Sequence, residues 1–506
     1  MTARTIMVQG TASSVGKSIV TAALCRLFVQ EGLRVAPFKS QNMALNAFVT
    51  ADGKEIGRAQ AVQAVAARVA PSVDMNPILL KPEGDSRSQV VVLGKPLGSL
   101  GAVDYQAKKP ELREVVAGSL SRLRAAYDIV VIEGAGSPAE INLKPRDIVN
   151  MFVAELADAP VLLVGDIDRG GVFAAFVGTL ALLEAHERAR IAAFVINKFR
   201  GDIKLLESGL EMLRERTGVP VLGVLPYLQR LQIADEDSVS LDDRRGRKRA
   251  GPNEVEIAVV RLPRISNYDD FQPLEHEPGV VVRFVEHARE LEGADLVVLP
   301  GTKSTLADLA WLREAGMATV ISERAARGGL VLGVCGGCQM LGTKIVDPHG
   351  IESEVQQGEG LGLLHVETEF GREKQTTQLR GRAARPSFLA SETAPPISGY
   401  EIHMGRVTRA PGCEAAFAIT ERNGSEQTAL DGARSDTGTV IGTMIHGLFE
   451  NSSVRGALIA ALRSRKGLPP RSPASLAPLA EDEFDRIAGV LRANVDMKML
   501  LGLVGR

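Results

Sequence analysis

An apolar strand, Thr5 to Gln9, runs straight into Gly10-Thr11-Ala12-Ser13-Ser14-Val15-Gly16-Lys17-Ser18. A helix follows from Ser18 to Gln30, with Ile19, Val20, Ala23, Leu24, Leu27 and Phe28 at helical spacing and Gly32 past its end. A turn of small residues between strand and helix lets backbone N–H groups wrap a polyphosphate, and the helix start adds partial positive charge. Such a junction needs a parallel sheet beneath it, so it commits this part of the chain to an α/β fold. Gly10, Ser14, Val15, Gly16, Lys17 and Ser18 are the expected nucleotide-binding residues. Lys17 would neutralise the outer phosphates of ATP, and the Ser18 hydroxyl would bind Mg²⁺. Five residues separate Gly10 from Gly16-Lys17, one more than the usual pattern.

The remaining pattern agrees. Strand-like runs recur at Arg34–Phe38, Asp128–Ile132, Pro160–Val164, Ala192–Ile196 and Val221–Leu225, rich in Val, Ile and Leu, with helical stretches between them. Strands buried on both faces of a parallel sheet have this composition. The polar run Asp235–Asn253 breaks the series, and a second one begins at Glu256–Leu262. It continues through Val280–Phe284, Asp295–Leu299, Leu330–Val334 and Gly438–Ile445. The expected organisation is an ATP-binding domain at 1–233, a linker at 234–253, a second domain at 254–452 and a helical C-terminal segment at 453–506. Both domains are expected to be doubly wound parallel sheets. In the C-terminal segment Phe484, Ile487, Val490, Leu491 and Val495 mark one apolar face, read as core packing.

A formal net charge of −2 gives no electrostatic reason to expect nucleic acid or an anionic membrane as partner. Four cysteines, Cys25, Cys335, Cys338 and Cys413, make no disulfide framework, and no second ligand pair completes a zinc site with Cys335 and Cys338. Met1 to Gln9 lacks the pattern of a signal peptide, and no apolar run reaches the ~20 residues that cross a bilayer. The expectation is a cytoplasmic protein acting on small molecules.

Two further places carry chemistry. Glu133 ends one strand and enters Gly134-Ala135-Gly136. At the C-terminal edge of a parallel sheet it faces the ligand crevice and is expected to hold Mg²⁺, directly or through water. Asp52 and Glu55 are weaker metal candidates. Asn197 and Pro226 follow two later strands. In the second domain an apolar strand meets Gly333-Val334-Cys335-Gly336-Gly337, then a helix. The glycines permit a sharp turn that exposes the Cys335 sulfur, and the helix start favours its thiolate. The Gly336 N–H would help stabilise an oxyanion, with a second donor from Gly301 or Thr302 in another strand-end turn. A cysteine nucleophile needs a base. His446, at the end of the late strand, is the expected one, and His403 is the competitor, read otherwise as a structural or substrate-contact residue.

The long phosphate loop resembles that of dethiobiotin synthetase and its relatives, where the following strand ends, here Asn197 and Pro226, receive the adenine. The Cys335 turn with distant His446 resembles class I, or triad-type, glutamine amidotransferases. Those carry His-Pro-Glu, whereas Leu448 stands where the Glu belongs, which leaves the third member unassigned; Glu450 is out of register. The pairing of these two domains resembles the cobyric acid synthase group of cobalamin-pathway amidotransferases. The most specific stretches are Lys39-Ser40-Gln41-Asn42-Met43, Glu55-Ile56-Gly57-Arg58-Ala59-Gln60, Asn76-Pro77 through Lys81-Pro82, Asp168-Arg169-Gly170-Gly171, Asn197 to Asp202, Ile265-Ser266-Asn267 with Asp269-Asp270-Phe271, and Gly399 to His403.

The resemblance implies a corrinoid substrate, adenosylcobyrinic acid a,c-diamide. Its b, d, e and g carboxylates would be amidated through acyl phosphates with ammonia cut from glutamine and passed along a sheltered path. Lys39, Gln41, Asn42, Arg58 and Lys81 are weak candidates for holding substrate carboxylates or phosphates. Three alternatives stay open: a ligase of the same scaffold acting on a cell-wall precursor or on the a,c-carboxylates, a partitioning-type ATPase, and a corrinoid carrier. Cys335 and His446 argue against the last two.

Overall fold

The computed structural model describes residues 2–83, 86–228, 231, 248–352, 355–391, 395–474 and 476–506. The first sheet has six parallel strands in the spatial order Val221–Pro226, Ile191–Phe199, Val161–Asp166, Arg4–Gly10, Ile129–Glu133 and Val35–Phe38. Its central strands are apolar because both faces are covered: Ile6, Met7 and Val8 are all fully buried. The strand order reverses beside Arg4–Gly10. Val8 pairs with Glu133 and Gly10 with Val164, so the phosphate loop and Glu133 leave the sheet side by side at its C-terminal edge.

The second sheet runs Val280–Val285, Val255–Val260, Leu296–Leu299, Leu330–Val334, Val440–Thr443 and Ala433–Arg434, parallel except for the last pair. The strand ends at Leu299, Val334 and Thr443 therefore lie together. They deliver Gly301-Thr302, Cys335 and His446 to one place.

Three further sheets among the described residues were not read from the sequence. Between Phe38 and Ile129 the first unit carries Gln41–Met43, Ile78–Pro82, Arg87–Val92 and Lys95–Gly101 as a mixed four-stranded sheet, and Ala47–Val49 pairs with Glu55–Gly57. In the second unit the 18-residue strand Val366–Ala383 pairs antiparallel with Ile397–Arg409 and with Phe417–Arg422, the latter continued by Ser425–Asp431.

Most of the linker read at 234–253 lies outside the described residues. Its last part, from 248, is packed on the second unit: Arg249 donates to the Glu292 and Arg289 carbonyls, and the Ala250 N–H donates to Glu256. The C-terminal segment read at 453–506 divides between the two units. Helix Ser452–Arg465 stays on the second, where Arg455 Nε lies 2.7 Å from Glu277 and both side chains are buried. Helix Leu476–Asn494 returns to the first. Its Phe484, Ile487, Ala488 and Leu491 share a core with Val20, Leu24 and Leu27, and Glu481 pairs with the buried Arg26 at 2.8 Å. Among the described residues, no helix is long and apolar enough to cross a membrane.

Candidate functional site: a phosphate loop and a cysteine elbow

The phosphate loop is shaped by backbone needs that only its sequence meets. Gly16 has φ +102°, and a Cβ there would sit 2.1 Å from Asn197 Nδ2. A Cβ on Gly10 would lie 2.7 Å from Val15, because the loop folds back over it. Asn197 donates to the Val15 carbonyl at 2.8 Å, and Lys198 Nζ donates to the Ser14 carbonyl and to Asp166, both at 2.8 Å. Asn197, expected near a base, thus braces the loop. Pro226 is half-buried at the end of the outermost strand, next to Tyr227, whose ring carries the Arg200 guanidinium 3.5 Å above it.

Lys17 Nζ lies inside the loop, donating to the carbonyls of Ala12 at 3.0 Å and Gly136 at 3.1 Å. The 134–136 turn is clamped by Asn150, which donates to the Ala135 carbonyl and accepts its N–H. Glu133 is buried. Its Oε1 accepts from the Ser18 hydroxyl at 3.0 Å and from Lys39 at 2.9 Å, and its Oε2 from Gln63 at 2.5 Å. One hydroxyl and one carboxylate beside a phosphate cradle suit Mg²⁺, which keeps waters and takes its other ligands from phosphate oxygens. Neither Asp52 nor Glu55 is among the partners of this pair. Asp52 binds Thr50 and Lys54, and Glu55 is locked between Lys81 at 2.8 Å and Lys374 at 2.5 Å.

The cysteine turn is equally constrained. Cys335 has φ +52° and ψ −112°, outside the regions ordinary residues favour, and opens helix Gly336–Leu341. A Cβ on Gly337 would sit 1.9 Å from the Leu299 carbonyl oxygen, so the helix can approach the neighbouring strand end only with glycine there. A Cβ on Gly336 would sit 3.1 Å from the Thr302 nitrogen, so the turn packs directly on Thr302, which lines the same pocket as Cys335. Gly301 instead makes room for the imidazole: its Cβ would lie 3.2 Å from His446 Cε1, and its carbonyl accepts the Ser266 N–H.

His446 is buried and lines the same pocket as Cys335, whose Sγ lies 3.9 Å from the Ile402 carbonyl oxygen. Its Nδ1 lies 2.6 Å from Asp270 Oδ2, and Asp270 Oδ1 accepts the Gly447 N–H at 2.8 Å. Burial opposes the imidazolium, but the Asp270 carboxylate and the Cys335 sulfur outweigh it and push His446 up to about 10. The carboxylate beside His446, which the sequence left unassigned, thus comes from a different element, the 3₁₀ turn Tyr268–Phe271. Glu450 points elsewhere, 3.8 Å from Arg58. Tyr400 stacks on the His446 ring with centroids 5.4 Å apart.

His403 lines the same pocket as Cys335, but its Nδ1 is engaged by the Gly405 carbonyl at 2.7 Å, and burial lowers it to about 4. It stays neutral and is no partner of the sulfur. Cys338 is fully buried, and burial raises its thiol well above the usual range, so it is an inert core residue.

Lys81, from the first unit, lines the Cys335 pocket together with Lys303, Lys374 and Glu352 of the second. The other weak substrate candidates also have protein partners. Lys39 belongs to the Glu133 cluster, Gln41 accepts the Tyr105 hydroxyl, Asn42 donates to Gln60, and Arg58 pairs with Asp269 across the interface. Polar character was readable in the sequence at these positions, but burial was not. Asp270, Gln63, Asn150 and Lys198 were missed as site residues. For Asp270 the available signal was the pair of adjacent carboxylates in Asp269-Asp270.

Comparison with known families follows the same division. Residues 6–241 match the CobQ/CobB/MinD/ParA nucleotide binding domain, and residues 256–454 match the CobB/CobQ-like glutamine amidotransferase domain. A cobyric acid synthase of Sorangium cellulosum (strain So ce56) is 65% identical, with 100% of this chain and 99% of that protein covered. Those of Dehalococcoides mccartyi (strain CBDB1) and Citrobacter koseri (strain ATCC BAA-895 / CDC 4225-83 / SGSC4696) are 53% and 50% identical, covering 99% and 98% of this chain and 99% and 97% of theirs. The chain belongs to the cobyric acid synthase family.

Proposed function

We propose that the chain is a glutamine-hydrolysing amide ligase that converts the b, d, e and g carboxylates of adenosylcobyrinic acid a,c-diamide into amides, one per cycle. The observation that carries this reading is the coexistence of two reactive centres in one chain, with Lys81 of the nucleotide unit forming part of the wall around Cys335.

A carboxylate is a poor acceptor for ammonia because its leaving group would be oxide. The acceptor carboxylate therefore attacks the γ-phosphorus of ATP, ADP departs and an acyl phosphate forms; ammonia then attacks its acyl carbon and expels inorganic phosphate, a stable leaving group, to leave the amide. Lys17 and the loop N–H groups orient the triphosphate and offset its charge. Ser18 and Glu133 would hold Mg²⁺, which supplies further charge neutralisation. At the other centre the Cys335 thiolate attacks the glutamine amide while the His446 imidazolium gives its proton to the departing ammonia. The N–H groups of Gly336 and Thr302 face the oxyanion. Water, deprotonated by His446, then releases glutamate from the thioester. Ammonia must stay unprotonated on its way, which requires a sheltered route through the interface near Lys81.

In this reading Lys39 belongs to the phosphate centre, and Arg58 and Lys81 to the interface. The domain limits follow the sequence, 1–233 and 254–452, with the C-terminal helices shared. The protein works in the cytoplasm on small molecules, without nucleic acid or membrane. Mass spectrometry of the corrinoid diamide after incubation with ATP, Mg²⁺ and glutamine tests the assignment. Successive amide gains up to four are expected, and an unchanged corrinoid would contradict it.

A further inference from the structure

One short helix of the nucleotide unit, Arg58–Ala66, touches both reactive centres. At its first residue Arg58 Nε stands 2.8 Å from Asp269 Oδ2. Asp269 is the chain neighbour of Asp270, whose two oxygens hold the His446 ring and the Gly447 N–H. Further along the helix Gln63 donates to Glu133, the carboxylate that also takes the Ser18 hydroxyl. At 1.5 Å per residue these two contacts are only about 7.5 Å apart along the helix axis.

The surroundings of Arg58 strengthen the link. Its guanidinium lies 5.6 Å from the Phe48 ring centroid, and the neighbouring Ala47 carbonyl accepts from Asn267 at 3.0 Å and from the Tyr400 hydroxyl at 3.3 Å. Tyr400 in turn stacks on His446. The nucleotide unit therefore frames the His446–Asp270 pair from two sides. Electrostatics gives the arginine a task. Asp269 and Asp270 are adjacent and both buried, and two such carboxylates repel unless a cation compensates them. Burial raises Asp269 to about 6, with Arg58 pulling the other way and Asp270 adding to the rise.

We propose that Arg58 is a positioning residue for the glutaminase centre, supplied by the nucleotide unit. Through helix Arg58–Ala66, the state of the phosphate site sets the alignment of Asp270 and His446, so glutamine is hydrolysed fastest when nucleotide is bound. This rests on the reading of Cys335 and His446 as the glutaminase pair.

The test uses the full chain. Glutamate release is measured over a range of glutamine concentrations, with and without ATP and Mg²⁺, and Cys335 alkylation by iodoacetamide is followed by mass spectrometry in nucleotide-free protein. In the wild type, nucleotide should raise kcat. Arg58→Ala should lower kcat about 10–100-fold with little change in KM for glutamine, the size expected of misalignment rather than lost binding. It should also slow Cys335 alkylation. Arg58→Lys should recover part of both, and Gln63→Leu should abolish the nucleotide response. Gln378→Ala removes a different contact across the same interface, the bond to the Val49 carbonyl, and should alkylate at the wild-type rate. If Arg58→Ala does not fold, Asp269→Asn breaks the same pair from the other side and should lower kcat likewise. Wild-type kcat and alkylation in both Arg58→Ala and Asp269→Asn, or an unchanged nucleotide response in Gln63→Leu, would overturn the proposal. Glutaminase activity surviving in Cys335→Ala would instead overturn the underlying site reading.

Discussion

His446 shows how much one side chain's chemistry depends on its neighbours. Its imidazolium is held by Asp270 and the Cys335 sulfur against the cost of burial, with a folded value of about 10 against ~6.5 for a free histidine. A raised value means that the protonated ring stabilises the fold. That stability is fully present below about pH 6.5 and is lost as pH climbs through about 10. Asp270→Asn removes the main anchor. Glutamate release should drop by about 10²–10⁴ in kcat, as expected when a base loses the group that fixes its tautomer. The melting temperatures of wild type and variant should converge as the pH is taken toward 10, and a constant gap across that range would speak against the charged pair. The Cys335 turn was legible in the sequence because glycines flank a cysteine at a strand end. Asp270 was not, because its place beside His446 is fixed by the docking of a 3₁₀ turn against a strand end 176 residues away.

At the scale of elements, strands buried on both faces announce themselves as apolar runs, which is why both parallel sheets were readable. Val366–Ala383 was not, because it alternates: Val366, Thr368 and Phe370 are buried while their neighbours face outward among Glu, Arg and Lys. The strands at 41–43 and 78–101 are short and interrupted by Gly and Pro, so length and composition both hid them. Three strands meet at a buried ion triplet, where Glu55 of the first unit lies between Lys81 of the same unit and Lys374 of strand Val366–Ala383 in the second. Burial raises Glu55, but Lys374 and Lys81 outweigh it and lower it to about 2. The stability it contributes is present above its ordinary value near pH 4.5 and disappears as pH falls toward 2. Glu55→Gln leaves two buried ammonium groups without their anion and should cost about 3–5 kcal/mol in denaturant unfolding at pH 7. A change below ~1 kcal/mol would mean that the triplet is solvated.

Across the whole molecule the chain leaves the nucleotide unit, builds the glutaminase unit and comes back. Helix Leu476–Asn494 covers helix Lys17–Gln30, which begins at the end of the glycine-rich loop. The apolar face of the late helix was readable in the sequence, but not which unit it covers, since periodicity names a buried face and not its partner. Phe484→Ala should destabilise the nucleotide unit by about 3–5 kcal/mol, visible as a lower unfolding midpoint. A midpoint within error of wild type would place the helix outside that core. In the proposed reaction, nitrogen released at Cys335 is consumed at the phosphate loop of the same chain. The most direct check is amide formation on the corrinoid diamide with ATP and Mg²⁺, comparing glutamine with ammonium as the nitrogen source. Cys335→Ala should fail with glutamine and succeed with ammonium, and Lys17→Ala should fail with both. Glutamine-driven amidation in Cys335→Ala, or ammonium-driven amidation in Lys17→Ala, would contradict it.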